Sequence, residues 1–158
     1  MQGFVRSAKL EDVDVIVRDL RTADLAEIQA SSGISPELSL RLGILNGEAR
    51  VACDGDGLPV AIFGVVPLHT DPTVGVVWMV ATNQFQKLHR QFLREGREEL
   101  ADLCNGYKLV FNYTDARNKV HHRWIKWVGF TIIKRHEEHG HEGRPFLEFV
   151  RITEVHHV

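Results

Sequence analysis

The stretch of sequence that decides the fold is Asn118–Phe130, which reads NKVHHRWIKWVGF. Its apolar side chains recur with the three- and four-residue spacing of a helix, at Val120, Trp124, Trp127 and Val128. Gly129 follows at the place where a helix C-terminus favours a residue that tolerates a positive φ. The stretch therefore predicts a helix of about three turns that ends at Gly129.

Segments rich in β-forming residues lie on both sides of this helix. Leu109–Tyr113 is apolar or aromatic over most of its length, and Asp115 interrupts the pattern. After the helix, Phe130–Arg135 begins a new strand, and a turn rich in His, Glu and Gly leads to a last strand at Phe146–Ile152. The C-terminal part of the chain is thus predicted to run strand, helix, strand, strand.

This order, with its Gly-Phe exit from the helix, resembles the end of a GCN5-related N-acetyltransferase (GNAT). That family typically shows an Asn, then a helix that carries an aromatic residue and a Tyr, then Gly-Phe. Counting back from Gly129, Asn118 takes the Asn position and Trp124 takes the aromatic one. Ile125 stands where many active members have the Tyr. The resemblance is therefore better in the fold than in the catalytic residues.

The rest of the chain predicts elements in a compatible order. A first strand at Phe4–Arg6 is followed by three short helices before Asn46. The remaining predicted elements are a hairpin of Arg50–Cys53 and Leu58–Leu68, a fourth strand at Thr73–Ala81, a long helix at Phe85–Asn105 and a fifth strand at Lys108–Thr114.

The resemblance implies an α/β fold with a mixed central sheet of about seven strands and helices on both faces. It also implies that strands four and five run parallel and splay apart at their C-terminal ends. In the family, the cleft between them holds the pantetheine arm of the cofactor. We expect one domain over residues 1–158.

Composition excludes several classes of partner. The net charge of −2 gives no reason to expect nucleic acid or an anionic membrane as a ligand. No apolar run is long enough to span a bilayer, and the N-terminus lacks an apolar signal core. Cys53 and Cys104 are the only cysteines, which favours a reducing cytoplasm and no disulfide framework. We therefore expect a cytoplasmic protein.

The cofactor motif of the family is absent from the expected place. GNAT enzymes hold the pyrophosphate of acetyl-CoA on backbone amides at the start of the long helix, and two glycines allow the close approach. The family's motif is Arg or Gln, two residues, Gly, one residue, and Gly or Ala. When Val80 is aligned with the valine that ends the strand before this motif, Phe85 stands at the Arg or Gln position. Leu88 and Arg90 then stand at the two glycine positions, called the glycine places below. Acetyl-CoA is still the cofactor that the resemblance implies. The residues expected to contact it are Val80, Thr82, Lys87, Arg90 and Asn118.

Side-chain cations are the remaining means of holding a phosphate. Lys87, His89 and Arg90 could contact it in place of the lost glycine loop, with Thr82 or Asn83 capping the helix. Alternatively, these charged residues form only the solvated face of an amphipathic helix.

Candidates for acid and base chemistry are equally few. Because Ile125 cannot donate a proton, Tyr113 and His121 are the catalytic candidates, as acid or as a group that titrates near neutral pH. Each has a structural alternative, namely packing for Tyr113 and surface exposure for His121. The fourth strand contains no carboxylate. The remaining candidates for the base are Glu27, Asp71 and Asp115.

A cluster of metal-ligating residue types occupies the last hairpin, at His136, Glu137, Glu138, His139 and His141. Imidazole and carboxylate suit zinc or nickel. A polar turn bracketed by Gly140 and Gly143 explains the same residues more simply, so no metal is expected.

A narrower resemblance rests on Trp78, Thr82 and Asn112 together with HHRWIKWVGF. These residues look like the small GNAT-like proteins of short-tailed bacteriophages, named internal virion proteins or acetyltransferases. The resemblance implies a phage product made in the bacterial cytoplasm, with a place in the virion as one role. Two functions stay open: an acetyl-CoA-dependent N-acetyltransferase, or a non-catalytic protein that binds a host or phage protein partner.

Overall fold

The computed structural model describes residues 2–153, without the side chain of His89. His156 and His157 lie outside the described residues. The chain forms seven strands, five α-helices and one short 3-10 helix. The strands are β1 (Phe4–Ser7), β2 (Glu48–Cys53), β3 (Pro59–Leu68), β4 (Asp71–Ala81), β5 (Leu109–Asp115), β6 (Thr131–His139) and β7 (Arg144–Ile152). The helices are α1 (Asp12–Arg18), α2 (Thr22–Ser31), α3 (Pro36–Asn46), the 3-10 helix (Asn83–Lys87), α4 (His89–Cys104) and α5 (Lys119–Trp127).

The strands form one mixed sheet in the order β1-β2-β3-β4-β5-β7-β6. Every neighbouring pair is antiparallel except β4 and β5, which are parallel over three residue pairs, from Val74 with Leu109 to Val76 with Phe111. The predicted mixed sheet of seven strands and the predicted parallel pair are confirmed.

Pairing between β4 and β5 stops after Val76, although both strands continue. At the next residue, Asn112 donates a hydrogen bond from its side-chain Nδ2 to the carbonyl oxygen of Val77 at 2.6 Å. A side chain thus replaces the backbone ladder where the strands separate. The gap beyond Val77 is the predicted splay of the sheet.

Helices cover both faces because the strands alternate their apolar side chains between two cores. On one face, Val51, Ile62 and Val80 pack with residues of α1, α2 and α3. On the other face, Phe63, Val65, Val77 and Met79 pack with Phe92, Leu100, Trp124 and Ile125 of α4 and α5. No helix among residues 2–153 is long and apolar enough to cross a membrane.

The helix predicted at Phe85–Asn105 is divided in two. The hydroxyl oxygen of Thr82 accepts a hydrogen bond from the N–H of Gln84 at 3.2 Å, which begins a 3-10 helix instead of an α-helix. Phe85 turns into the core, where its ring lies edge-on to Phe92 with the centroids 5.1 Å apart. The α-helix proper begins at His89. The predicted end of the last helix is confirmed, because α5 ends at Trp127 and Gly129 follows with a φ of 100°.

The histidine-rich segment is strand and not turn over most of its length. β6 continues to His139, because His136 Nε2 lies 2.7 Å from Glu148 Oε1 of β7 and the His139 ring packs on Phe146. The predicted polar turn was wrong for His136, Glu137, Glu138 and His139, which belong to β6, and is confirmed for His141. Only the segment from Gly140 to Gly143, both with positive φ, forms the turn.

Candidate functional site

Two cavities approach the splay of the sheet from opposite faces. The α2–α3 cavity, of about 370 Å³, lies among α2, α3, β4, β5 and the end of β6. The α4–α5 cavity, of about 640 Å³, lies among the 3-10 helix, α4 and α5. Met79 and His121 line both cavities. Met79 and His121 therefore stand between the two spaces at the splay.

A buried polar network forms one wall of the α2–α3 cavity. Glu27 Oε1 accepts hydrogen bonds from Thr114 Oγ1 and from the N–H of Asp115, both at 2.8 Å. Asn118 Nδ2 lies 3.3 Å from the same oxygen and donates to Asp24 Oδ1 at 3.1 Å. The two carboxylates of α2 are thereby fixed against the end of β5 and the start of α5.

Burial, helped by the nearby charge of Asp24, raises the pKa of the Glu27 carboxyl to about 7. The three donated hydrogen bonds act in the opposite direction, because they favour the charged form. A carboxyl with a pKa near neutral can exchange a proton at physiological pH. Of the three carboxylates that the sequence left as candidate bases, only Glu27 lines this cavity among the described residues.

His121 lies at the junction of the two cavities and is 5% exposed. Its ring stacks on Trp124 with the centroids 5.6 Å apart, and Nδ1 has no hydrogen-bond partner among the described residues. Burial lowers the pKa of His121 to about 4, so the ring is neutral at pH 7. A neutral imidazole can accept a hydrogen bond there, but its one remaining N–H is too weak an acid to protonate a leaving group.

Tyr113 lines the α2–α3 cavity together with Glu27 and His121. Its ring packs against His139, with the centroids 4.2 Å apart, and against the edge of His136. Burial raises the pKa of the Tyr113 hydroxyl above its ordinary value, so the hydroxyl keeps its proton at neutral pH. The structure thus brings together both catalytic candidates and adds Glu27 to them.

Ile125, at the position of the family's Tyr, is fully buried in the core between α5 and the sheet. Its side chain lines neither cavity. The usual place for the acid is therefore a packing position in this chain.

The residues predicted to hold acetyl-CoA are scattered. Val80 lies in the core beneath α1 to α3 and lines the α2–α3 cavity, while Thr82 caps the 3-10 helix. Lys87 and Arg90 are exposed and line neither cavity. Asn118 is buried and caps α5, with its Oδ1 accepting from the N–H of His121 at 3.4 Å. Their contacts with a cofactor remain predictions.

On the edge of β4 that faces the splay, backbone groups on both sides of Met79 already have partners. Val77 O already accepts from Asn112, and the N–H of Ala81 donates to Asp24 Oδ2 at 2.9 Å. The O of Ala81 accepts from the N–H of Arg21 at 3.0 Å. Since hydrogen-bonding groups alternate along a strand, Met79 between them also directs its N–H and C=O into the splay.

Arg21 and Arg123 are the two arginines that line the α4–α5 cavity, among aromatic residues at Phe85, Trp124 and Trp127. The Arg21 guanidinium is held by Asp24 at 2.8 Å and lies over the Phe85 ring. Arg123 is exposed on α5. These cations could not be found from the sequence, because Arg21 belongs to the loop before α2, far along the chain from the glycine places.

No group of three or more His, Cys, Asp or Glu side chains between residues 2 and 153 is arranged to hold a metal ion. Both histidines of β6 pack against the Tyr113 ring, and His136 Nε2 also pairs with Glu148.

Neither a protein-family profile nor a curated protein sequence matches the chain. Solved structures do match over almost the whole length. A GCN5-related N-acetyltransferase from Kribbella flavida is 17% identical with a TM-score of 0.72, covering 95% of this chain and 97% of that one. Ard1 from Thermoplasma volcanium is 16% identical with a TM-score of 0.74, covering 98% of this chain and 100% of that one.

A third match is the spermidine N-acetyltransferase from Vibrio cholerae in complex with CoA and spermine. It is 12% identical with a TM-score of 0.69, and the match covers 96% of each chain. At such identities a likeness shows the fold alone. The mixed sheet with its one parallel pair, splayed beyond Val77, is the fold of the GCN5-related N-acetyltransferases.

Proposed function

We propose that this chain is an acyl-CoA-dependent N-acyltransferase in which Glu27 is the general base. One observation carries the proposal: two cavities reach the splay from opposite faces and share Met79 and His121. This arrangement suits a transferase, because the acyl donor and the amine acceptor can each occupy its own space and still meet at one point.

Glu27 has the environment that a base requires. An amine acceptor in the α2–α3 cavity enters as an ammonium ion and must lose a proton before its nitrogen can attack a carbonyl carbon. With a pKa of about 7, the Glu27 carboxylate can take that proton directly or through a water molecule. The hydrogen bonds from Thr114 and Asp115 to Oε1 hold the carboxyl in one orientation while this happens.

Acetyl-CoA would supply the acetyl group as a thioester. The new C–N bond forms as the C–S bond breaks, and the departing thiolate needs a proton. Tyr113 is the candidate proton donor, since its hydroxyl stays protonated at neutral pH and its ring lines the α2–α3 cavity. Neutral His121 is better suited to position a group at the junction of the cavities than to protonate it.

The fit to acetyl-CoA is partial. The peptide of Met79 can pair with an amide of the pantetheine arm, and Arg21 and Arg123 supply positive charge beside the cavity. The glycine places hold Leu88 and Arg90, so a pyrophosphate cannot be cradled by close backbone approach. We therefore expect binding that is weaker than in a glycine-loop enzyme and more dependent on salt.

The second candidate function is binding of a protein partner without catalysis, as the resemblance to phage virion proteins implies. Two positions favour it. Ile125 is buried at the position where the family has its catalytic Tyr, and Leu88 stands at one of the positions where the family has a glycine. In this case the fold would serve as a scaffold in virion assembly or in host takeover.

Titration of acetyl-CoA and of CoA by calorimetry separates the two functions. The transferase proposal expects micromolar binding, and release of CoA when an amine is added. It also expects Glu27→Gln to retain the binding and to lose most of the turnover at pH 7. No heat at millimolar ligand would contradict the transferase and favour the scaffold.

A further inference from the structure

The turn between β6 and β7 closes one end of the α2–α3 cavity. The N–H of His141 donates to the carbonyl oxygen of Ser31, and the N–H of Glu142 donates to that of Ala30, both at 3.0 Å. These carbonyls belong to the last turn of α2, where helical partners are lacking. Ser31 and His139, which flank the junction, both line the cavity. The helix and the hairpin are therefore bonded into one continuous wall.

Two glycines make this closure tight. Gly140 has a φ of 73°, and a Cβ at this position would lie 2.7 Å from the Ala30 carbonyl oxygen. Gly33 has a φ of 70°, and a Cβ there would meet the His141 ring at 2.6 Å. Side chains at either position would force the turn away from α2. Glycine at both positions therefore allows the β6–β7 turn to pack directly against the C-terminal end of α2.

The lining of the α2–α3 cavity is apolar on the side formed by α3 and polar on the side that faces the splay. Ile34, Leu40 and Trp78 are among the apolar residues. Glu27 is the only carboxylate among the described lining residues, and no lysine or arginine is among them. A cation is therefore favoured over an anion, with its charge at Glu27 and its apolar part toward α3. The volume of about 370 Å³ is at the small end for ligand sites.

We propose that the acceptor is a small primary amine on a short apolar body, and not the N-terminus or a lysine of a protein. This inference rests on the proposed transferase function. A peptide chain cannot leave the cavity between α2 and the hairpin, because the two are hydrogen-bonded to each other there. A small amine can place its nitrogen beside Glu27 without disturbing that junction.

The experiment measures binding by calorimetry in the absence of any acyl donor, so that it does not depend on catalysis. The probes are phenethylamine, its uncharged analogue 2-phenylethanol, and a hexapeptide with an N-terminal phenylalanine. We expect phenethylamine to bind at least tenfold more tightly than either of the others. We expect Glu27→Gln to abolish its preference over the alcohol. Equal or tighter binding of the hexapeptide, or no binding of phenethylamine, would overturn the inference.

A pair of glycine variants tests the closure itself. Gly33→Ala and Gly57→Ala introduce the same strain, because both glycines have positive φ, but only a Cβ at Gly33 meets another group within 4 Å. Gly33→Ala should weaken the binding of phenethylamine at least fivefold and reduce the ratio of its affinity to that of the hexapeptide. Gly57→Ala should change neither quantity. If Gly33→Ala does not fold, Gly140→Ala is the second variant and should give the same result, because its Cβ would lie 2.7 Å from the Ala30 carbonyl oxygen and would also force the turn away from α2. Unchanged preference in the folded variant would overturn the role of the turn.

Activity assays distinguish failure of this inference from failure of the proposed function. Acetylation of the hexapeptide but not of phenethylamine would overturn the acceptor class and leave the transferase intact. Binding of phenethylamine without acetylation of any amine would contradict the transferase proposal and leave the amine-binding site supported.

Discussion

Asn118 Nδ2 donates a hydrogen bond to Asp24 Oδ1 at 3.1 Å, joining the start of α5 to α2 across 94 positions of the chain. The same nitrogen lies 3.3 Å from Glu27 Oε1, and the Asn118 oxygen caps α5. One amide therefore supplies donors to two acids and an acceptor to a helix end. A carboxylate could serve only as the cap, because it has no hydrogen to donate.

Asn118→Ala should lower the free energy of unfolding by about 1–3 kcal/mol, because it removes a helix cap and leaves the buried Asp24 and the half-buried Glu27 short of a donor. Asn118→Asp keeps the cap but places a third acid beside Asp24 and Glu27, so it should be at least as destabilising at pH 7. Urea unfolding measures both. Asn105→Ala, on the surface, is the control and should change stability by less than about 0.5 kcal/mol. A cost for Asn118→Ala as small as the control's would contradict the network.

The sequence predicted the sheet well because local patterns determine it. β-rich segments, the periodicity of α5 and the glycine at 129 all act between near neighbours, and the parallel pair followed from the family resemblance. Glu27 was only one of three carboxylates that the sequence offered as candidate bases. Its partners Thr114 and Asp115 lie 87 and 88 positions away, so no local pattern could show its burial. His139 was misplaced for the same reason, since the packing on Tyr113 that holds it in β6 is distant in sequence.

Glu27 should make the protein less stable as the pH rises from about 4.5 to about 7. Its pKa is about 7 in the folded chain against 4.5 for the free side chain, so the folded state binds more protons over this interval. The loss can reach about 3 kcal/mol. Glu27→Gln removes it, and the difference in unfolding free energy between wild type and variant should change between pH 4 and pH 8. Glu98→Gln, on the surface of α4, is the control. A pH-independent difference would contradict the raised pKa.

His121 should act in the opposite direction. Its pKa falls from 6.5 to about 4 on burial, so the unfolded chain binds more protons below pH 6.5, and stability is lost as the pH falls from 6.5 to 4. The groups that face it are Asp24, which raises its pKa, and Arg21 and His122, which lower it. His121→Gln should reduce this acid sensitivity by up to about 3 kcal/mol, measured by urea unfolding at pH 4.5 and pH 7. His69→Gln, at an exposed position, should leave it unchanged.

Tyr113→Phe tests the proton donor with the smallest change available, because it removes the hydroxyl and keeps the ring that packs on His139. If Tyr113 protonates the thiolate, turnover should fall by about 100-fold or more while the affinity for the amine is kept. Tyr107→Phe is a matched control, since Tyr107 is also half-buried but lines neither cavity. Equal turnover in wild type and Tyr113→Phe would exclude this hydroxyl as the acid.

Arg123→Gln should weaken the binding of CoA by about tenfold, or about 1.4 kcal/mol in binding free energy. The reason is that Arg123 lines the α4–α5 cavity and can place its charge beside a phosphate. Lys87→Gln and Arg90→Gln are the informative comparisons. The sequence assigned the phosphate to these two residues, whereas the structure places both outside the cavities. Calorimetry at low and high salt measures all three variants, and the loss at Arg123 should shrink at high salt because exposed charges are screened. A larger loss at Lys87 or Arg90 than at Arg123 would place the phosphate at the start of α4. In that case the cations beside the glycine places, and not the arginines of the cavity, would compensate for the missing loop.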